Sequence, residues 1–231
     1  MTMPSQKTWL ADLPRDRLLA EFSMWSADLI HLAADLKRIE GHADVLHIDV
    51  ADGHFAPALL FFPDLVERIR KASDLPIHVH LMVADAVLLS QVEQFAEAGA
   101  DLISVHAENG NAGEAVALIR DRGIASGVVL RVETPVAAAR PFLDCVDFLT
   151  LLGTAIGVKG QGLDPTATKR LREAGRFIVD AGRQIVLAAD GGIRENTVPP
   201  LRKAGAQTVV MGSLAFGAED LPARIRWLRA L

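Results

Sequence analysis

His47, Asp49, His80 and Asp190 are the residues of this chain whose types and placement best suit chemistry. Each lies at the C-terminal end of an apolar run with the composition of a β-strand. The runs are Val45-Leu46-His47-Ile48-Asp49-Val50, Ile77-His78-Val79-His80-Leu81-Met82 and Ile185-Val186-Leu187-Ala188-Ala189-Asp190. Side chains alternate along a strand, so His47 and Asp49 share a face. Two imidazoles and two carboxylates meeting at one end of a parallel sheet would make a divalent-cation site. Mixed nitrogen and oxygen donors favour Zn, Fe, Mn or Co over Mg or Ca, which prefer oxygen shells. Carboxylates so placed can also move protons, and the combination points to an enzyme.

The elements that must position these groups alternate along the chain. Strands are expected at Glu21–Trp25, Val45–Val50, Ile77–Met82, Leu102–His106, Ala125–Arg131, Phe148–Gly153, Ile185–Asp190 and Thr208–Met211. Helices are expected at Ala27–Glu40, Pro63–Ala72, Ala86–Ala98, Ala112–Asp121, Val136–Phe142, Pro165–Ala181, Glu195–Ala204 and Leu221–Ala230. Pro63 and Pro165 suit a first helical turn, where a missing N–H costs little. Gly99, Gly123 and Gly205 suit helix ends. The strands are short, apolar on both faces and rich in Val, Ile and Leu, as strands buried on both sides of a parallel sheet are. Eight strand–helix pairs point to a (β/α)8 TIM barrel occupying residues 21–231 as one domain, after an N-terminal extension over residues 1–20. A doubly wound open sheet is the competing architecture, because alternation does not show closure. Within the extension, Met1–Lys7 reads as frayed. Trp9–Leu19 reads either as a short apolar helix covering the barrel bottom or a partner subunit, or as a loose tail; Pro14 must start or break that helix.

The chain has 231 residues, half of them apolar, and a net charge of −5. That is ample for one large core, and the lack of a basic run gives no case for nucleic acid. The single cysteine, Cys145, reads as a small buried hydrophobe and fits a reducing, cytoplasmic setting. The N-terminus lacks the apolar stretch of a signal peptide, and no run is long enough to span a membrane.

The remaining histidines are weaker candidates. His78 shares the parity of His80 but lies deeper, which suits packing or hydrogen bonding. His106 ends the fourth strand and could line the pocket. His54 would orient its loop, and His31 and His42 read as surface residues. Two glycine turns follow the last two strands, Asp190-Gly191-Gly192-Ile193 and Met211-Gly212-Ser213-Leu214. Such turns expose backbone N–H groups to anions, and in (β/α)8 enzymes the loops after strands seven and eight often hold a phosphate. A third loop, Gly157-Val158-Lys159-Gly160-Gln161-Gly162, could close over the same anion, with Lys159 adding a charge or standing in solvent.

These residues carry a resemblance. From about Phe22 to Gly217 the chain resembles the ribulose-phosphate 3-epimerase family. The matching stretches are Ser23-Met24-Trp25-Ser26-Ala27-Asp28-Leu29, His47-Ile48-Asp49-Val50-Ala51-Asp52-Gly53-His54-Phe55, His78-Val79-His80-Leu81-Met82-Val83, Asp190-Gly191-Gly192-Ile193 and Gly212-Ser213. The resemblance implies one divalent metal per subunit, held by His47, Asp49, His80 and Asp190. It makes Asp49 and Asp190 the acid/base pair and sets Ser23 beside the substrate, with Met82 over the reacting carbons. Gly157, Val158, Lys159, Gly160, Gly191, Gly192, Gly212 and Ser213 would hold the phosphate. The implied reaction is epimerisation at the carbon beside a ketone: a proton leaves one face and one returns to the other, through an enediolate that a Lewis acid stabilises. The implied protein is an isomerase of carbohydrate metabolism, acting on a phosphorylated ketose and assembling as a homo-oligomer.

Departures from the family pattern bear on the substrate. Ala51 and Leu152 stand where the family usually or often has methionine, and His78 replaces an aspartate. Ala56-Pro57-Ala58 and Ala155-Ile156-Gly157-Val158-Lys159-Gly160 replace the usual loop sequences. Another ketose phosphate, such as allulose 6-phosphate or a differently configured pentulose, fits as well as D-ribulose 5-phosphate. Two other readings are a related barrel lyase and a non-catalytic sugar-phosphate sensor. The lyase ranks lower because the Asp-x-Lys-x-x-Asp pattern of barrel decarboxylases is missing at Asp49-Val50-Ala51-Asp52.

Overall fold

The computed structural model describes residues 8–231; the expectation for Met1–Lys7 lies outside them. Eight parallel strands close into a barrel in chain order. They are β1 (Leu19–Ser23), β2 (Val45–Ala51), β3 (Ile77–Met82), β4 (Leu102–His106), β5 (Ala125–Leu130), β6 (Phe148–Leu152), β7 (Val186–Asp190) and β8 (Thr208–Met211). Closure comes from β1 pairing with β8, with Ala20 opposite Val209 and Glu21 opposite Val210. The open doubly wound sheet is thereby excluded.

The helices are α1 (Thr8–Asp12), α2 (Leu32–Ile39), α3 (Pro63–Ala72), α4 (Asp85–Glu97), α5 (Ala112–Asp121), α6 (Ala167–Asp180), α7 (Val198–Lys203), α8 (Ser213–Phe216) and α9 (Leu221–Arg229). Apart from α1, which lies beneath the barrel, the helices bury apolar residues in the layer outside the strands. In α3, Pro63 opens the helix and Val66 and Ile69 are the buried pair, each contributing about 1.5–3 kcal/mol by burial. Outward Leu46, Ile48 and Val50 of β2 join the same apolar layer, which leaves His47 and Asp49 facing inward.

Several elements differ from expectation for local reasons. The expected strand Glu21–Trp25 ends at Ser23 and gives way to a 3-10 turn over Met24–Ser26, and the α-helix starts only at Leu32, because the Asp28 carboxylate accepts from Ile30 N–H and His31 Nδ1 and holds a turn. Val136–Phe142 is a 3-10 helix, since Pro141 inside it has no N–H for an α-helical bond. Glu195–Thr197 stays outside α7 because the Thr197 hydroxyl ties back to Gly192 O and Arg194 N–H. Gly99, Gly123 and Gly205 all adopt positive φ just past helices, as expected. Cys145 is half-buried rather than fully buried.

At the N-terminus, α1 stops before Pro14, while Leu18 and Leu19 belong to the barrel. Trp9, Leu10 and Leu13 pack beneath Leu102, Ala125 and Phe148, covering the barrel bottom. Among the described residues no helix is long and apolar enough to cross a membrane.

Candidate active site

Strand register brings the four chemical residues together. In the β2–β3 pair, His47 lies opposite His78 and Asp49 opposite His80. Asp190 ends β7, on the far side of the mouth. His47 Nε2 is 3.2 Å from Asp49 Oδ1 and 4.0 Å from Asp190 Oδ2. His80 Nδ1 is 3.4 Å from Asp49 Oδ1 and 3.8 Å from Asp190 Oδ2. One donor atom from each of the four residues falls within 4.8 Å of the others. Ser23 Oγ donates to Asp49 Oδ2 at 2.8 Å. His80 Nδ1 is buried and makes no hydrogen bond.

A cavity of about 340 Å³ opens above this cluster. Its wall includes Ser23, Asp49, His80, Met82 and Asp190, with the loop residues Gly157–Gln161, Gly191, Gly192, Gly212 and Ser213; Gly162 stays outside it. His47 lies behind the wall, fully buried. The loops approach one another too closely for side chains. A Cβ on Gly192 (φ 69°) would sit 2.7 Å from Leu163 Cα, and one on Gly212 would sit 2.6 Å from Ser26 Oγ. Lys159 reaches across the cavity rim to Trp25, its ammonium 4.5 Å from the indole centroid and donating to Trp25 O. Lys159 is therefore neither free in solvent nor pointed solely at a ligand.

The electrostatics separate the two aspartates. Burial and the neighbouring Asp49 charge push Asp190 up to about 6, against the pull of His47 and His80. Burial acts on Asp49 too, but His47 and His80 outweigh it and hold that carboxyl well below the usual range. The imidazole of His47 is raised well above its ordinary value, because Asp49 and Glu21 overcome the cost of burying it.

Glu21 was not visible as a site residue in the sequence. It is fully buried on β1. Its Oε2 accepts from His47 Nδ1 at 3.0 Å and from His78 Nδ1 at 2.8 Å, and its Oε1 accepts from the Thr208 hydroxyl at 3.1 Å. Burial opposes its charge, yet the two imidazoles keep it ionised. The alternation of β1 puts Glu21 and Ser23 on one face, the only local signal it carried. His78 has the deep hydrogen-bonding role expected of it; its Nε2 accepts from Ser104 Oγ at 2.7 Å, and burial draws its pKa down to about 4. His106 does not line the cavity; it lies behind His80. Arg194, beside the Gly191-Gly192 turn, lines the cavity and went unrecognised in the sequence. Ala51 does not reach the cavity: it is buried against Ala56 and Met82 under Phe55 and Ile156.

The family model for the ribulose-phosphate 3-epimerase family matches residues 19–216. The chain belongs to that family. It is an isomerase of the kind that epimerises carbohydrates. Ribulose-phosphate 3-epimerase from Bacillus subtilis (strain 168) is 36% identical over 210 residues, covering 90% of this chain and 96% of that protein. Ribulose-phosphate 3-epimerase 1 of Cupriavidus necator is 39% identical over 204 residues, covering 86% and 84%. The Aquifex aeolicus ribulose-phosphate 3-epimerase is 37% identical over 194 residues, covering 84% and 86%. A solved 3-hexulose-6-phosphate synthase superposes with a TM-score of 0.66 at 19% identity, covering 92% of this chain and 99% of that one. At that identity the likeness speaks for the barrel alone.

Proposed function

We propose that this protein epimerises C3 of a ketose phosphate, with the D-ribulose 5-phosphate/D-xylulose 5-phosphate pair as first candidate and a related pentulose or hexulose phosphate as second. One observation carries the reading: two carboxylates, Asp49 and Asp190, share one cavity with the His80 imidazole and the phosphate-type glycine loops, and His47 lies directly behind them.

The residues fit a divalent cation of the Zn, Fe, Mn or Co kind. Two nitrogens and two carboxylate oxygens converge, and the buried Nδ1 of His80 has no other partner. His47, Asp49, His80 and Asp190 would hold it, and when bound it would supply Lewis-acid stabilisation to the negative charge that develops next to the ketone.

The proton steps belong to the two aspartates. Asp49, ionised and held by the Ser23 hydroxyl, is the base that removes the C3 proton. Asp190, across the mouth on β7, returns one to the other face. In the reverse direction the roles exchange. Met82 excludes water from the reacting carbons. The backbone N–H groups of Gly191-Gly192 and Gly212-Ser213, with Arg194 and Lys159, grip the phosphate at the opposite side of the cavity. A cytoplasmic homo-oligomer is the setting we infer from the reducing-compartment cysteine usage and the family resemblance.

Proton exchange in D2O tests the proposal. The protein is loaded separately with Zn, Mn, Fe(II) and Co and offered a panel of ketose 5- and 6-phosphates. Deuterium entering C3 together with the epimer is the expected result. Sugar phosphate that binds tightly without any exchange, under every metal, would replace this reading with a sensor role.

A further inference from the structure

Glu108 lies outside the cavity but ends a chain of hydrogen bonds that begins at His80. His80 Nε2 and His106 Nε2 are 2.9 Å apart, so one donates and the other accepts. The far end of the chain decides which. Glu108 Oε2 is 3.0 Å from His106 Nδ1, while its Oε1 accepts from the Arg131 backbone N–H at 2.9 Å and from the Thr134 hydroxyl. With two donors already on Oε1, Glu108 is a carboxylate, and an ionised carboxylate only accepts, so His106 Nδ1 carries the proton shared with Oε2.

His106 is fully buried, stacked on His80 with ring centroids 5.0 Å apart and closed on another side by Phe55, itself under the Arg131 guanidinium. A second proton would bury an imidazolium among these groups, next to another cation. With one proton, at Nδ1, His106 must accept at Nε2 and His80 must donate there. The lone pair of His80 then sits on Nδ1, the atom facing Asp49 and Asp190. The other tautomer would set two lone pairs against each other at 2.9 Å between the buried rings.

We propose that His106 and Glu108 are positioning residues that fix the tautomer and ring orientation of His80, so that Nδ1 offers its lone pair to a divalent cation. This rests on the reading of His80 as a cation ligand. It also gives the His106-Ala107-Glu108 sequence a purpose: His106 ends β4, and the turn that follows brings the Glu108 carboxylate back to its Nδ1.

Two readouts test it. In the metal-free wild-type protein, two-bond proton–nitrogen NMR spectra of the imidazoles are expected to show His80 protonated at Nε2 and bare at Nδ1. A proton on Nδ1 overturns the proposal. Chelator competition then measures Zn(II) affinity. Glu108→Gln and His106→Phe are expected to weaken it by about 10–100-fold, the usual effect of removing a partner that orients a ligand. Unchanged affinity in folded forms of both variants also overturns it. If neither variant folds, the wild-type spectrum decides. Wild-type protein that binds no zinc would remove the ligand reading instead, and the tautomer readout would still decide this one.

Discussion

Strands β1–β4 and strands β5–β8 furnish the same barrel with different chemistry. The first four carry Glu21, His47, Asp49, His78, His80 and His106, all buried; the last four carry a single ionisable side chain, Asp190. The first half is tied together by its own hydrogen bonds, with Glu21 joining His47 to His78 and Glu108 backing His106 and His80. The second half ends in loops whose glycines take positive φ, at Gly157, Gly160, Gly191 and Gly192. A rigid polar network suits holding ligands and proton carriers in one geometry. Bare turns suit wrapping backbone around an anion. Proton chemistry and substrate grip are therefore separable by position, and Asp190 is the one point where the second half enters the chemistry.

That division can be broken or sharpened by substitution. Asp190→Asn should have the largest effect, lowering kcat about 10²–10⁴-fold, the worth of a positioned acid or base. Deuterium uptake at C3 reads it directly, and near-normal uptake would break the division at its key residue. Glu21→Gln removes the charge that accepts from two buried imidazoles. It should lower stability by about 3 kcal/mol, as removing one member of a buried ion pair does. Urea unfolding of the metal-free protein measures this; a change under 1 kcal/mol, on the scale of a surface pair, would mean that the network is not what stiffens the first half.

Gly192→Ala should act on the other side of the comparison. The φ of 69° and the approach of Leu163 make any Cβ strained, costing about 1–3 kcal/mol. The expected signature is a KM for the sugar phosphate raised by an order of magnitude or more, with kcat changed less. An effect confined to kcat would argue against a phosphate grip there. Lys159→Ala should be the mildest. Its ammonium sits over Trp25 at the rim, an exposed-type contact worth about 0.5–1 kcal/mol, so KM should rise only a few-fold. A hundredfold rise would make Lys159 a principal phosphate ligand.

Some of this was open to reading in the sequence. β3, β4 and β8 have the expected bounds because each is a short apolar run between polar or glycine turns. The cluster was legible because Asp49, His80 and Asp190 interrupt such runs toward their C-terminal ends, where strand parity gives their direction; His47, the third of seven residues in β2, shares the parity of Asp49 but lies deeper than expected. Glu21 was not, since a lone acid within a strand looks like a solvent-facing residue. Its partners His47 and His78 are 26 and 57 positions away. Arg194 was missed because an arginine after a glycine turn has no periodicity to mark it. The late start of α2 turned on side-chain hydrogen bonds from Asp28, which helix propensity does not record.

The order of residue types and the alternation of faces are properties of the chain itself, and they determined that two imidazoles and two carboxylates would point from strand ends into one interior. Whether the sheet closes was decided only by the pairing of β1 with β8, a contact between segments almost two hundred residues apart. Which ring nitrogen of each histidine faces the two aspartates was likewise settled by tertiary hydrogen bonds, to Glu21 for His47 and to His106 for His80. The reason is common to both: parity along a strand tells which way a side chain points, but its partners, and hence its charge and tautomer, come from strands brought alongside by the closed barrel.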